Sequence, residues 1–137
     1  MTESEGLMPD CIPASLVAEG QVFSFSMARS KPRNIAWEKE AALAVIAALA
    51  EHGYAILGGD VLERSGDGLA YAGEYWDLPD EDVVLWDEYV EHTRERSTAL
   101  IEDVAGRRGE SCVFALFWLS ERDYKRQMRD FGSLEYR

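Results

Sequence analysis

The sequence predicts an α+β domain, one antiparallel-rich sheet with helices packed on it, in the order βαββαβ followed by a further helix. Two observations carry this. Segments of period two alternate with segments of period three to four, and two strand-like runs are joined by Ser65-Gly66-Asp67-Gly68, a turn sequence that makes neighbouring strands antiparallel. The first six elements follow an order found in ferredoxin-like folds. A chain of 137 residues fits one domain, with residues 1–20 an irregular N-terminal segment and 21–137 the domain.

Each element has its own warrant. Pro9, Pro13, Gly6 and Gly20 interrupt residues 1–20, although Ile12, Leu16 and Val17 offer docking groups. Gln21–Met27 alternates Phe23, Phe25 and Met27 with Ser24 and Ser26, the pattern of a half-buried strand, and a basic turn follows at Arg29–Arg33. Trp37–His52 is built of strong helix formers, with Glu38 and Glu40 in the first turn and Gly53 as a stop. Its inner stripe is expected at Trp37, Ala41, Ala44, Val45, Ala48 and Leu49, widened by Leu43 and Ile46.

Tyr54–Arg64 and Leu69–Trp76 form the hairpin. A long helix is expected near Glu81–Ala105, because Trp86, Tyr89, Val90, Thr93, Ser97, Leu100, Ile101 and Val104 recur at spacings of three and four. Cys112–Leu119 is apolar at nearly every position, as in a central strand covered on both faces. Ser120 with Asp123 marks an N-cap, so Ser120–Asp130 is expected as the last helix, with a fraying tail.

Charge narrows the partners. The chain carries a net −12, and ten of those units lie between Asp60 and Glu91, where eleven acids face a single base, Arg64. Tyr71, Tyr75, Trp76, Trp86 and Tyr89 share that window. Such a segment is either a solvated face that aids solubility or a surface for a basic protein, steered by charge and anchored by aromatics. Nucleic acid and anionic membrane would be repelled. Residues 1–11 are acidic and show no secretory pattern, which points to the cytoplasm, and the apolar run Ala41–Ala50 is half the length of a membrane span. Cys11 and Cys112 are far apart in sequence and are expected as reduced thiols.

Chemistry-bearing motifs are sparse. Gly58-Gly59-Asp60 after an apolar strand allows two readings: a close backbone approach to a ligand held by Asp60, or a β-bulge that re-aims the strand. Asp60, Glu74 and Asp77 could together serve a small carboxylate- or metal-dependent enzyme. No metal motif includes His52 or His92, no nucleophile elbow is present, and Cys112 heads an apolar strand. No catalytic residue, metal or cofactor is therefore assigned. A self-associating structural subunit is a third class, in which a dimer would avoid the acidic face.

Several strings together resemble one family. The helix from Trp37, the run from Gly53 through Gly58-Gly59-Asp60-Val61, the hairpin ending Tyr75-Trp76-Asp77, and Trp86-Asp87-Glu88-Tyr89-Val90 resemble bacterial immunity protein family 40, over roughly residues 35–105. The resemblance implies a small cytosolic protein that binds and neutralises a cognate toxin in a polymorphic toxin system, without catalysis. A toxin that cleaves nucleic acid is typically basic, and carboxylates with aromatic anchors would complement it. The toxin-facing surface is expected to be one contiguous patch drawn from Asp60, Glu63, Glu74, Tyr75, Trp76, Asp77, Asp80 and Asp87, with Trp76 equally suited to the core.

Overall fold

The computed structural model describes residues 9–23, 34–66, 68–78 and 85–127. Asp67, Asp80, the basic turn Arg29–Arg33, the strand beyond Phe23, the helix start expected at Glu81, and everything before residue 9 or after residue 127 lie outside them. The elements run α1 (Ala14–Glu19), β1 (Gln21–Phe23), β2 (Asn34–Trp37), α2 (Lys39–Glu51), β3 (Ala55–Ser65), β4 (Gly68–Asp77), α3 (Trp86–Arg108) and β5 (Cys112–Leu119). Residues 121–127 are helical, capped as expected by Ser120, whose Oγ accepts the Asp123 N–H at 3.1 Å.

All five strands form one antiparallel sheet, ordered β1-β2-β5-β3-β4. The α+β expectation holds. β2 and β3, joined by α2, are separated by β5, whereas β4 and β5, joined by α3, are separated by β3. These are two interleaved split βαβ units, the unit shared with ferredoxin-like folds. Here the central pair is β3 and β5, the second and fourth strands of the βαββαβ series.

The N-terminal half differs most from expectation. Residues 14–19 form a short helix, and β2 is an added strand immediately before α2. Trp37 ends that strand instead of opening the helix: it pairs with Phe114 across β5, is fully buried, and donates its indole N–H to the Leu16 carbonyl at 2.7 Å. The bond fastens α1 to the core. In α2 the buried stripe is Ala41, Ala42, Val45, Ile46 and Leu49, while Ala44 faces solvent. With Trp37 outside the helix, the stripe centres on Ala42, Val45, Ile46 and Leu49, spaced by three and four.

The other elements follow the expected pattern closely. Seven of the eight expected inner positions of α3 are buried, with Leu100 half-buried at the margin. Two of the seven are polar, and both are satisfied. Thr93 Oγ1 accepts the Ile56 N–H and donates to the Val90 carbonyl, each at 3.0 Å, and Ser97 Oγ accepts the Trp76 indole N–H at 3.1 Å.

α2 and α3 pack on one face of the sheet. Their core cluster includes Val45, Ile46, Leu49, Ile101 and Val104, closed from the sheet by Trp37, Ile56, Val61, Trp76, Phe114 and Leu116. Strand alternation sends Ala36, Leu62, Val113 and Ala115 to the opposite face, where they form a second buried cluster joined by Leu69. Among the described residues no helix packs on that far face.

Candidate functional site

The glycine pair sits where β3 is squeezed between its neighbours. The β3–β5 register slips between Ile56 and Gly58, the bulge expected at this point. A Cβ on Gly58 would lie 2.2 Å from the Trp76 carbonyl oxygen; one on Gly59 would lie 2.4 Å from the Trp76 ring and 2.6 Å from the Ala115 carbonyl oxygen. Gly59 is thus the seat of the Trp76 indole. The glycines admit protein atoms there and leave Asp60 as the next side chain.

A second irregularity follows. Val61 pairs with Glu74 but Leu62 pairs with Tyr71, so β4 carries Ala72 and Gly73 as extra residues, with Gly73 at φ 84°. The Ala72 carbonyl, freed by this bulge, accepts from Arg108 Nη2 at 3.1 Å. Arg108 also binds Glu74 at 2.6 Å and Glu63 at 2.9 Å, and Arg107 bonds both Glu74 oxygens at 2.9 and 3.2 Å. The basic last turn of α3 is thereby clamped to the hairpin. The Arg107 and Arg108 hydrogen bonds hold the Glu74 carboxyl down at about 2 and raise both guanidinium pKa values.

This clamp has a defined acid dependence. Because Glu74 titrates below the ordinary 4.5, its contribution is complete above about pH 4.5 and disappears as pH falls toward 2. Glu74→Gln should lower the melting temperature at pH 7, and thermal scans should show its gap from the wild type closing across that interval. A gap independent of pH would contradict the ionic origin.

The sheet therefore divides the expected patch. Glu63 and Glu74 lie on the helix side and are already neutralised by arginine. Trp76 is core: only 8% exposed, it packs in the main cluster with its N–H bonded to Ser97. Asp87 is exposed in the first turn of α3, where it favours the helix dipole. Asp80 lies outside the described residues. The three that share a surface are Asp60, Tyr75 and Asp77, since Asp60 pairs with Tyr75 and Gly58 with Asp77 on the far face. Asp60, Glu74 and Asp77 cannot share a cation, because Glu74 points the opposite way; no cluster of ligands suited to a metal occurs among the described residues.

Asp60 is half-buried in the second strand from the sheet edge, and no side chain among the described residues bonds its carboxylate. Loss of water raises its pKa above the ordinary carboxylate value. On either side stand Ala115 of β5 and Tyr75 of β4, the latter 67% exposed. Phe117, opposite Gly58, is 44% exposed on the same face. Sequence reasoning missed Phe117 because it lies in a strand that is apolar throughout. Strict alternation from buried Phe114 and Leu116 is the signal that turns it outward.

Both thiols are free, Cys112 being buried and Cys11 half-buried, and burial pushes each pKa up, so neither has the character of a nucleophile. No helix of the described residues is long and apolar enough to cross a membrane. Comparison with curated proteins and with solved structures finds no match. A family model described as Immunity protein 40 matches residues 26–118, about two thirds of the chain, and extends through β5 past the stretch whose motifs carry the resemblance. The chain therefore belongs to the Immunity protein 40 family.

Proposed function

We propose that the protein neutralises a cognate basic toxin in the cytoplasm by binding it, without catalysis, through the far face of the sheet around Asp60, Tyr75 and Asp77. Membership of an immunity family implies a toxin partner. The observation that carries the choice of surface is Asp60, a carboxylate withdrawn from water with no counter-charge among the described residues, beside two exposed aromatics. Such a group opposes folding at neutral pH, and a basic partner offsets that cost only in the complex. Glu63 and Glu74 already have internal partners and contribute to the clamp. A net charge of −12 favours rapid encounter with a basic protein and disfavours nucleic acid or anionic membrane as partners.

The test is protection of bacteria that express the toxin domain encoded beside this gene. Asp60→Asn combined with Asp77→Lys should abolish protection and weaken binding roughly a hundredfold, on the scale of lost charge pairs at protein interfaces. Asp60→Asn alone should raise the melting temperature at pH 7, because a raised carboxyl pKa costs stability once pH exceeds it. Binding should also weaken with salt. Full protection by the double variant, or affinity indifferent to salt, would move the interface elsewhere.

A further inference from the structure

We infer that the free edge of β4 after its bulge, residues 74–77, takes up a β-strand of the partner protein, basic on the side that faces away from the helices. This rests on the toxin-binding reading and adds the contact by which the partner is held. Among the described residues the sheet ends at β4, which pairs with β3 alone. The other edge, β1, has three residues against ten in β4. The ladder fixes where the β4 backbone groups point. The Arg64 N–H bonds the Ser111 carbonyl, away from β4, so Arg64 and its partner Leu69 turn their backbone groups out of the hairpin. Leu62, Asp60 and Gly58 follow Arg64 in alternation along β3. Their partners Tyr71, Tyr75 and Asp77 therefore direct N–H and C=O to the open edge. Leu78, next in the chain, points inward and donates to the Leu57 carbonyl at 2.8 Å, as the alternation requires. Among the described residues no backbone bond from outside the hairpin reaches Tyr75 or Asp77.

Long open edges are ordinarily guarded by lysine, proline or a covering element. The ten residues of β4 include neither lysine nor proline. Its one guard is the bulge at Ala72 and Gly73, whose freed carbonyl Arg108 already occupies, and this divides the edge into two runs. The run after the bulge is held firmly from the helix side, Glu74 by Arg107 and Arg108 and Trp76 by Ser97. A rigid edge loses little freedom when a strand pairs with it. Tyr75 and Asp77 are both exposed on the far face. A strand laid beside them brings one of its side chains to about 5 Å from each, so main-chain bonds supply affinity and alternate side chains supply specificity. Opposite Asp77 a cation is favoured and an acid repelled. Arginine suits the position best, because its guanidinium pairs with the carboxylate and stacks on the neighbouring Tyr75 ring. The net charge of −12 opposes a second copy of this chain as the occupant.

Amide hydrogen exchange, read by NMR on the isotope-labelled protein alone and with the toxin domain encoded beside this gene, tests the pairing. In the free protein the Tyr75 and Asp77 amides should exchange quickly, while those of Ala70 and Trp76, directed at β3, are already protected. The toxin should slow Tyr75 and Asp77 roughly a hundredfold or more. Tyr75→Pro removes one outward N–H and leaves the ladder to β3 in place. Its affinity for the toxin should be roughly tenfold below that of Tyr75→Ala, which loses the same ring but keeps the donor. Should the proline variant fail to fold, exchange in the unaltered protein decides alone. Toxin binding that leaves both amides fast, or equal affinity of the two folded variants, would overturn strand addition and leave neutralisation standing. No binding of the toxin would overturn the neutralisation reading, and strand addition with it. Slowing of the two amides without toxin, as protein concentration rises, would seat a second copy on the edge and overturn the proposal.

Discussion

Gly59→Ala should destabilise the protein by about 3 kcal/mol or more, lowering the melting temperature by roughly 10 °C, although it adds a single methyl group. The new carbon would meet the Trp76 ring at 2.4 Å and the Ala115 carbonyl oxygen at 2.6 Å. The ring belongs to a side chain that could in principle move. The carbonyl belongs to β5, which pairs with β3 along its own whole length, and its retreat would strain the centre of the sheet. A second substitution separates these contributions. Trp76→Leu in the Gly59→Ala background should recover only part of the loss, because the backbone contact persists, and the two effects should depart from additivity. Thermal or urea unfolding of the four proteins checks this. Complete rescue would mean that the indole alone makes glycine necessary.

How much of this arrangement is legible in the sequence depends on whether its cause is local. The hairpin turn, the seven buried positions of α3 and the bounds of β5 follow from periodicity and turn chemistry, which act within a few residues. The strand Asn34–Trp37 does not. Four residues running into a helix with an acid in its first turn have too little pattern of their own, and they become a strand through pairing with β1 on one side and with β5, some eighty positions later, on the other. The acidic patch illustrates the same divide. That Asp60 and Glu74 both contribute to a negative segment is plain, but their opposite fates depend on strand parity after two bulges and on Arg107 and Arg108, more than thirty residues beyond Glu74. Phe117, expected inside, turns outward for the same reason, and the same parity puts Trp76, equally suited to surface or core, in the core. Register decides which side of the sheet each occupies, and one residue of slippage reverses it.

Trp76→Ala should cost about 3–5 kcal/mol, the range for truncating a large buried aromatic. Trp76→Phe separates two components of that loss. Phenylalanine would fill much of the space above Gly59 but has no N–H for Ser97, whose hydroxyl is fully buried on α3. An intermediate destabilisation is expected from the unpaired hydroxyl together with the residual void. Ser97→Ala reverses the situation, leaving the indole N–H without its acceptor at a cost of about 1–3 kcal/mol. If the bond matters beyond packing, Trp76→Phe combined with Ser97→Ala should be more stable than the sum of the single changes predicts, since neither side then retains a buried unpaired group. Chemical unfolding of the set measures that coupling. At temperatures where each variant stays folded, toxin protection should be retained, because Trp76 supports β4 from the helix side while Tyr75 and Asp77 face the other way. Loss of protection in a fully folded Trp76→Phe protein would instead make the indole a direct determinant of binding.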